Sequence, residues 1–255
     1  MPSHPSVRPS LLGVFAHPDD ESLLAGGVLA RHAAAGARTA VVTATWGPDT
    51  HRAAELADAL AVLGAGRPRM LGFADARVPE SAPGRPRLCD APFDAVVELL
   101  VGHIREVRPE IVVTHDAYGQ LTGHPDHVRT HQATMIAVHA AGLEHLYPDA
   151  GDPWQSTALY LATHPHSGIG ELAPLLAQVG KRVLSVPDDF VTATVDVSAW
   201  IQQKWDAILA HRSETARERS LPGILSRLPA DRRDRVISIE YFTHLDPRPT
   251  PGGLR

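Results

Sequence analysis

The chain has 255 residues, 44% of them hydrophobic, with a formal net charge of −5 and a single cysteine, Cys89. That length and apolar content suit one globular α/β domain, residues 1–255, with a sizeable core. Charges of both signs are mixed without a basic stripe, which argues against a nucleic-acid partner. A lone cysteine excludes an internal disulfide and a cysteine-based zinc site, and fits a reducing cytosol.

Met1 to Ser10 is polar and proline-rich, without the apolar core of a signal peptide. No stretch reaches the roughly eighteen uninterrupted apolar residues of a membrane-spanning helix. A cytoplasmic protein without a membrane partner is therefore expected, with residues 1–10 and 247–255 as flexible tails. Nothing in the sequence sets an oligomeric state.

Leu11 to Ala16 is an apolar run that suits a buried strand. Pro18 cannot donate to a sheet ladder, so the strand should stop at His17. A helix is expected from about Ser22, with Leu23, Leu24, Val28 and Leu29 as its apolar stripe and Gly36 as its stop. Gly26 and Gly27 cost helix stability but permit close packing or close approach to a site. Arg38 to Thr45 is β-branched and reads as a second strand, followed by a loop, Trp46 to Asp49, and a helix, His51 to Leu63. Pro68 to Phe73 is a short third strand. Asp75 to Asp90 is rich in Pro, Arg and Gly, and long loops of this kind often wall functional pockets. Asp75 and Arg77 are its candidates for polar substrate contacts, and Cys89 within it reads as incidental.

Phe93, Val96, Val97, Leu100, Ile104 and Val107 have helical spacing, closed by Pro109, before a fourth strand, Glu110 to His115. A loop, Asp116 to Gly123, leads to a second polar cluster and a helix, Val128 to Ala141. Thr157 to Thr163 reads as a strand, Leu172 to Val179 as a short helix and Phe190 to Val197 as a half-buried strand. Ser198 is expected to cap a helix over Ala199 to His211. Thr215 to Arg235 is charged and is expected to be mobile or a solvated helix; Val236 to Phe242 is a final strand. Strands alternating with helices imply an α/β, Rossmann-like fold, a mostly parallel sheet with helices on both faces. Its active site belongs at the carboxyl ends of the strands. No internal repeat beyond a paired His-Pro-Asp motif, and no GxGxxG or P-loop, is present.

Two polar clusters sit at those strand ends. In the first, His17 and Asp20 are placed to share one metal ion across a proline turn, with Asp19 between them as a base for bound water. Alternatively, Asp19, Asp20 and Glu21 only supply negative charge to a helix start. The second cluster, Gly123-His124-Pro125-Asp126-His127, repeats His-Pro-Asp, and His127 could be the third ligand. Two other arrangements compete with it: surface histidines of a loop, and a pair formed by His127 and His131, four apart as in HExxH zincins but lacking the intervening Glu. His164-Pro165-His166 has no adjacent acid and is a weak candidate for a second metal site.

With AHPDDE at 16–21 and GHPDH at 123–127, the sequence resembles the PIG-L/LmbE-like family of metal-dependent N-deacetylases. The resemblance implies that His17, Asp20 and His127 hold one divalent metal, zinc first, with Fe2+ or another ion as alternatives. It implies Asp19 as general base and His124 as donor of a hydrogen bond or proton. Asp126 would orient or charge-tune His124 or His127. Spacing alone leaves base and ligand interchangeable. The family usually carries an Arg a few residues before a Glu where Arg52 and Glu55 stand, which implies that Arg52 reaches toward substrate or toward Glu21. Lys204 to Ser213 resembles a recurrent family segment in which Gln often follows the serine; here it is Glu214. His211 then lines the pocket or braces the core. The family's mycothiol enzymes often place a tyrosine before the second motif, where this chain has Thr122, with Tyr118 farther off. The implied function is hydrolysis of an N-acetyl group from a small-molecule amino sugar or glycoconjugate. The rivals are an amidase acting on a larger N-acyl or thiol-conjugate amide, and a metal-stabilised carbohydrate-binding module without catalysis.

Overall fold

The apolar runs pair side by side in one sheet. The computed structural model describes residues 8–248, so 1–7 and 249–255 of the expected tails lie outside the described residues. Ser10 is already tied down, donating from its amide to Glu110 at 2.9 Å. In chain order the elements are β1 (Leu11–Phe15), α1 (Asp20–Ala34), β2 (Thr39–Thr45), α2 (His51–Leu63), β3 (Arg69–Phe73) and α3 (Phe93–Val107). There follow β4 (Ile111–His115), α4 (Pro125–Ala140), β5 (Ala158–Thr163), α5 (Leu172–Gln178), β6 (Ala193–Asp196) and α6 (Ile201–Ala210). Three short helices, α7 (Arg212–Thr215), α8 (Leu221–Leu225) and α9 (Ala230–Ile237), precede β7 (Ile239–Leu245). Among the described residues no helix is long and apolar enough to cross a membrane.

The sheet order is β3-β2-β1-β4-β5-β7-β6. Neighbours from β3 through β5 are parallel; β7 runs antiparallel to both β5 and β6. This is the expected α/β, Rossmann-like arrangement. Side-chain alternation along β1 splits the core in two: Leu12 and Val14 face Val97, Leu100 and Ile104 of α3, while Leu11 and Phe15 face Leu29 of α1 and Leu56 and Leu60 of α2. The strand order reverses between β1 and β4, and the crevice outside their carboxyl ends is where such a sheet offers a ligand site. Both polar clusters emerge there.

Several boundaries differ from the sequence expectation. α1 begins at Asp20 rather than Ser22, and α4 at Pro125 rather than Val128. The apolar stripe starts late in both, whereas the first turns are polar. Acids are favoured in a first turn by the helix dipole, and proline is at home at its first position. Ser198 does not cap α6: it opens a 3-10 turn, Ser198–Trp200, that precedes the helix. Thr215 to Arg235 is not a solvated segment. Leu225 packs with Trp205 and Ile208 of α6, as does Ile237 just beyond the segment, and Ile224 packs with Leu121, Leu172 and Leu176. Its larger apolar residues, Leu221, Ile224, Leu225 and Leu228, lie in and just after the short α8, too few to make a periodic stripe over the segment.

The paired glycines of α1 serve packing. A Cβ on Gly27 would lie 2.3 Å from Val197 Cβ, and one on Gly26 would lie 3.2 Å from Lys204 Cγ. The amides of Gly27 and Val28 donate to the carboxylate of Glu240 on β7 at 2.8 and 2.9 Å, and Lys204 Nζ donates to the same carboxylate at 2.7 Å. Gly27→Ala is expected to destabilise by about 1–3 kcal/mol through overpacking, read as a lower urea midpoint with an unchanged slope.

Candidate metal centre

His17 is the second residue beyond β1, and its backbone amide donates to Asp20 Oδ2 at 2.8 Å, closing the proline turn. That turn forces Asp19 into φ 126°, a region a non-glycine residue occupies only when its surroundings compel it. Two long-range contacts hold the turn: Arg52 of α2 donates to the Pro18 carbonyl, and its guanidinium pairs with Asp19 Oδ1 at 3.0 Å. Arg52 therefore does not reach Glu21. Glu21, fully buried, pairs instead with His211 Nε2 at 2.7 Å, and accepts the Asp19 amide at 3.0 Å. His211 thus braces the turn from behind and does not line the cavity.

From the second cluster, α4 carries His127 into the crevice. His17 Nδ1 and His127 Nε2 face each other at 3.0 Å. Asp20 closes the triangle, Oδ2 lying 3.4 Å from His17 Nδ1 and Oδ1 3.3 Å from His127 Nε2. On its other side, His17 Nε2 meets Asp126 Oδ2 and Asp75 Oδ2, each at 3.2 Å. His124 caps α4, its Nδ1 accepting the Asp126 amide at 3.2 Å, so a neutral His124 carries its proton on Nε2. Arg77 lines the same cavity, of ≈ 230 Å³, together with Asp19, Arg52 and Asp75.

These placements correct three expectations. Asp126 orients His17 rather than His124 or His127, lying 3.7 Å from His124 Nδ1, while its charge still raises both of those imidazoles against their burial. Asp75, expected as a substrate contact, already has its carboxylate on His17. Cys89 is not incidental, because its thiol donates to the other oxygen of Asp126 at 3.2 Å. Burial, with that hydrogen bond, pushes the Cys89 thiol up to about 12, so it stays a protonated donor. The rival ligand His131 is turned away, its Nδ1 on the His115 carbonyl at 2.9 Å.

Charge is distributed sharply. Burial lowers His17, but hydrogen bonds to Asp126 and Asp20 and the charges of Asp20 and Asp75 more than offset it, raising it to about 10. Burial raises Asp20, yet His127, His115 and His17 hold its carboxyl well below the usual range. Desolvation takes His127 down to about 4 and His124 to about 2. Asp19 is pushed up to about 7, chiefly by burial, with Arg52 opposing and Asp20 and Glu214 adding to the rise.

The donor set fits a divalent ion. Two ligating nitrogens on one tetrahedral zinc stand about 3.3 Å apart, from Zn–N bonds of about 2.0–2.1 Å. His17 Nδ1 and His127 Nε2 are close to that spacing, beside a carboxylate. His17 also carries the outer carboxylate partners that a ligating imidazole needs.

Sequence reading missed one contributor, His115, and the contacts of two residues that it did name, Glu214 and Glu55. His115, the last residue of β4, stacks on His127 with centroids 4.2 Å apart and accepts the Ala16 amide at 2.9 Å. It fixes one ligand ring and the end of β1 together, and its place at a strand terminus beside the second motif was the available signal. Glu214 accepts from Arg52 at 2.9 Å. Glu55 holds the neighbouring Ser213 amide at 2.8 Å. Together these clamp the turn after α6 onto α2.

Comparison with known proteins identifies the family. The family model described as PIG-L: GlcNAc-PI de-N-acetylase matches residues 12–138. The chain is 37% identical over 267 residues to the 1D-myo-inositol 2-acetamido-2-deoxy-alpha-D-glucopyranoside deacetylase of Rhodococcus jostii, covering 91% of this chain and 90% of that one. Among solved structures it is similar to the conserved protein TT1542 from Thermus thermophilus, at TM-score 0.63 and 28% identity, covering 97% of this chain and 100% of that one. It also shares the fold of the N,N'-diacetylchitobiose deacetylase from Pyrococcus horikoshii, at TM-score 0.66 and 18% identity, covering 96% and 88% of the two chains. A relative this similar along nearly its whole length, carrying a match that spans both His-Pro-Asp motifs, places the chain in the PIG-L family of de-N-acetylases.

Proposed function

We propose that this chain is a metal-dependent deacetylase that hydrolyses the N-acetyl group of an N-acetylated amino-sugar glycoside of the GlcNAc-inositol type, working as one domain. The observation that carries this reading is the convergence of His17, Asp20 and His127 at the β1/β4 crevice, with Asp19 beside them. These three residues would hold the ion, zinc first and ferrous iron as the alternative. Such an ion, when bound, supplies an acidified water and a polarised amide carbonyl.

Asp19 takes the proton from the attacking water as its oxygen bonds to the acetyl carbon. Its raised pKa lets it return that proton to the nitrogen as the C–N bond breaks, leaving acetate and a free amine. Arg52 holds the Asp19 carboxylate in line. His124, neutral and protonated on Nε2, donates a hydrogen bond to the carbonyl oxygen as negative charge grows there. Asp126 and Asp75 keep His17 oriented, and Arg77 faces the substrate. We place this action in the cytoplasm, a compartment that suits an unpaired cysteine.

Mass spectrometry of a panel of acetylated sugars, with and without chelator, tests the reading. GlcNAc-inositol is expected to lose 42 Da as about one acetyl group exchanged for hydrogen, to stop doing so after chelation, and to resume when zinc or ferrous iron is restored. Turnover unaffected by chelation, or cleavage of long N-acyl amides alone, would overturn it.

A further inference from the structure

Arg52 joins two residues whose backbones lie where side chains are disfavoured. Asp19 sits at φ 126° and Trp46 at φ 72°. For a residue as bulky as tryptophan, a positive φ is an outlier that the surroundings must enforce. Three hydrogen bonds at the end of β2 do so. Thr45 Oγ1 donates to the Ala16 carbonyl at 2.7 Å, the Trp46 amide to the Phe73 carbonyl at 2.9 Å, and the Gly47 amide to the Ser81 carbonyl at 3.0 Å.

The side chain placed by this turn is buried against α2. The indole is 9% exposed, and the His51 ring stands nearly perpendicular to it, with centroids 5.5 Å apart. Its Nε1 has no acceptor among the described residues, so the indole offers its neighbour a π face rather than a hydrogen bond. That neighbour is Arg52, whose Cζ lies over the ring, 4.9 Å from the centroid.

The rest of Arg52 is committed to the turn of the first motif. Nη2 donates to the Pro18 carbonyl and pairs with Asp19 Oδ1 at 3.0 Å, and Nη1 pairs with Glu214 at 2.9 Å. A planar guanidinium makes its hydrogen bonds in its own plane. The aromatic face adds a restraint of a different kind, and a cation held over an indole gains most where water is excluded. Arg52 is 4% exposed. Arg52 and Asp19 line the cavity, whereas Trp46 does not, so its influence on the reacting centre passes through Arg52.

We infer that Trp46 is a positioning residue for deacetylation: its indole face fixes the Arg52 guanidinium, and through it the line of the Asp19 carboxylate. This rests on the deacetylase reading, with Asp19 as the base. The tryptophan accepts an unfavourable backbone conformation in return for an aromatic face at that one place.

The test places mono-, di- and trifluorinated tryptophan site-specifically at position 46. Fluorine drains negative charge from the ring face while nearly keeping its shape, so a purely packing role does not respond. With GlcNAc-inositol and the metal-loaded enzyme, kcat is expected to fall stepwise with each fluorine, with KM within about twofold of the parent and metal content unchanged. Trp46→Leu, at the same φ, is expected to lose about tenfold in kcat, equivalent to about 1.4 kcal/mol, and Trp46→Phe to recover most of it. In an Arg52→Met background, Trp46→Leu should cost nothing further. A kcat that stays flat across the fluorinated series, or a Trp46→Leu loss that persists in full without Arg52, overturns the inference. Absence of acetate release from the parent enzyme sinks the deacetylase reading instead. Urea midpoints of Trp46→Leu, Arg52→Met and the double variant then read the contact without turnover: coupled losses keep it, and additive losses sink it.

Discussion

Asp19→Asn is expected to keep its metal and lose about 10²–10⁴-fold in turnover, the usual share of a positioned general base. The amide is isosteric and retains an oxygen for Arg52, so the turn at φ 126° should hold. What disappears is the group that accepts the water proton. Metal content by elemental mass spectrometry, alongside acetate release, separates the two roles that spacing left interchangeable. Asp20→Asn is expected to do the opposite, weakening metal retention, because Asp20 touches both His17 and His127. Metal lost from the first variant and kept by the second would exchange their assignments. The pH profile adds a check. Asp19 must be ionised to accept a proton, and burial pushes it up to about 7. kcat/KM should therefore fall about tenfold per unit as pH drops below that value. Asp19→Asn should lack this acid limb.

Lys204→Met is expected to be among the most destabilising single changes, by about 3–5 kcal/mol, because it leaves a buried carboxylate without its counter-charge. Lys204 and Glu240 are 1% and 3% exposed, so water cannot take over. The Gly27 and Val28 amides remain as donors to Glu240, but they carry no net charge. The double variant Lys204→Met/Glu240→Gln should recover much of the loss, since no uncompensated charge then stays buried. Urea midpoints of the two single variants and the double variant give the coupling directly. A Lys204→Met midpoint within experimental error of the parent would show that the pair contributes nothing.

Much of this architecture was legible because apolar spacing is a local property. α2 and α3 span the residues their periodicity indicated, and the parallel sheet followed from alternating strands and helices. The first turns of α1 and α4 escaped that reading because they are made of the site residues themselves, selected for chemistry rather than for an apolar stripe. The meeting of His17 and His127 was legible through two short motifs whose residue types are those of metal ligands. Partner choice was not. Asp126 turning to His17, Cys89 reaching Asp126 and Glu214 catching Arg52 depend on distances between segments far apart in the chain. The C-terminal helices illustrate the same limit: Leu225 and Ile237 are buried only because α6 offers them a surface.

The grip of Glu240 on the middle of α1 has a temporal side. The carboxylate that receives the Gly27 amide is added to the growing polypeptide 213 residues after it. At ribosomal speeds of about 5–20 residues per second, that delay is roughly ten to forty seconds. For that interval the first motif hangs from a helix whose anchor has not been made, and the crevice gains its final wall only as the last strand arrives. A nascent chain of this protein therefore completes the wall around His17, Asp20 and His127 only once β7 has been made, long after the first motif has left the exit tunnel.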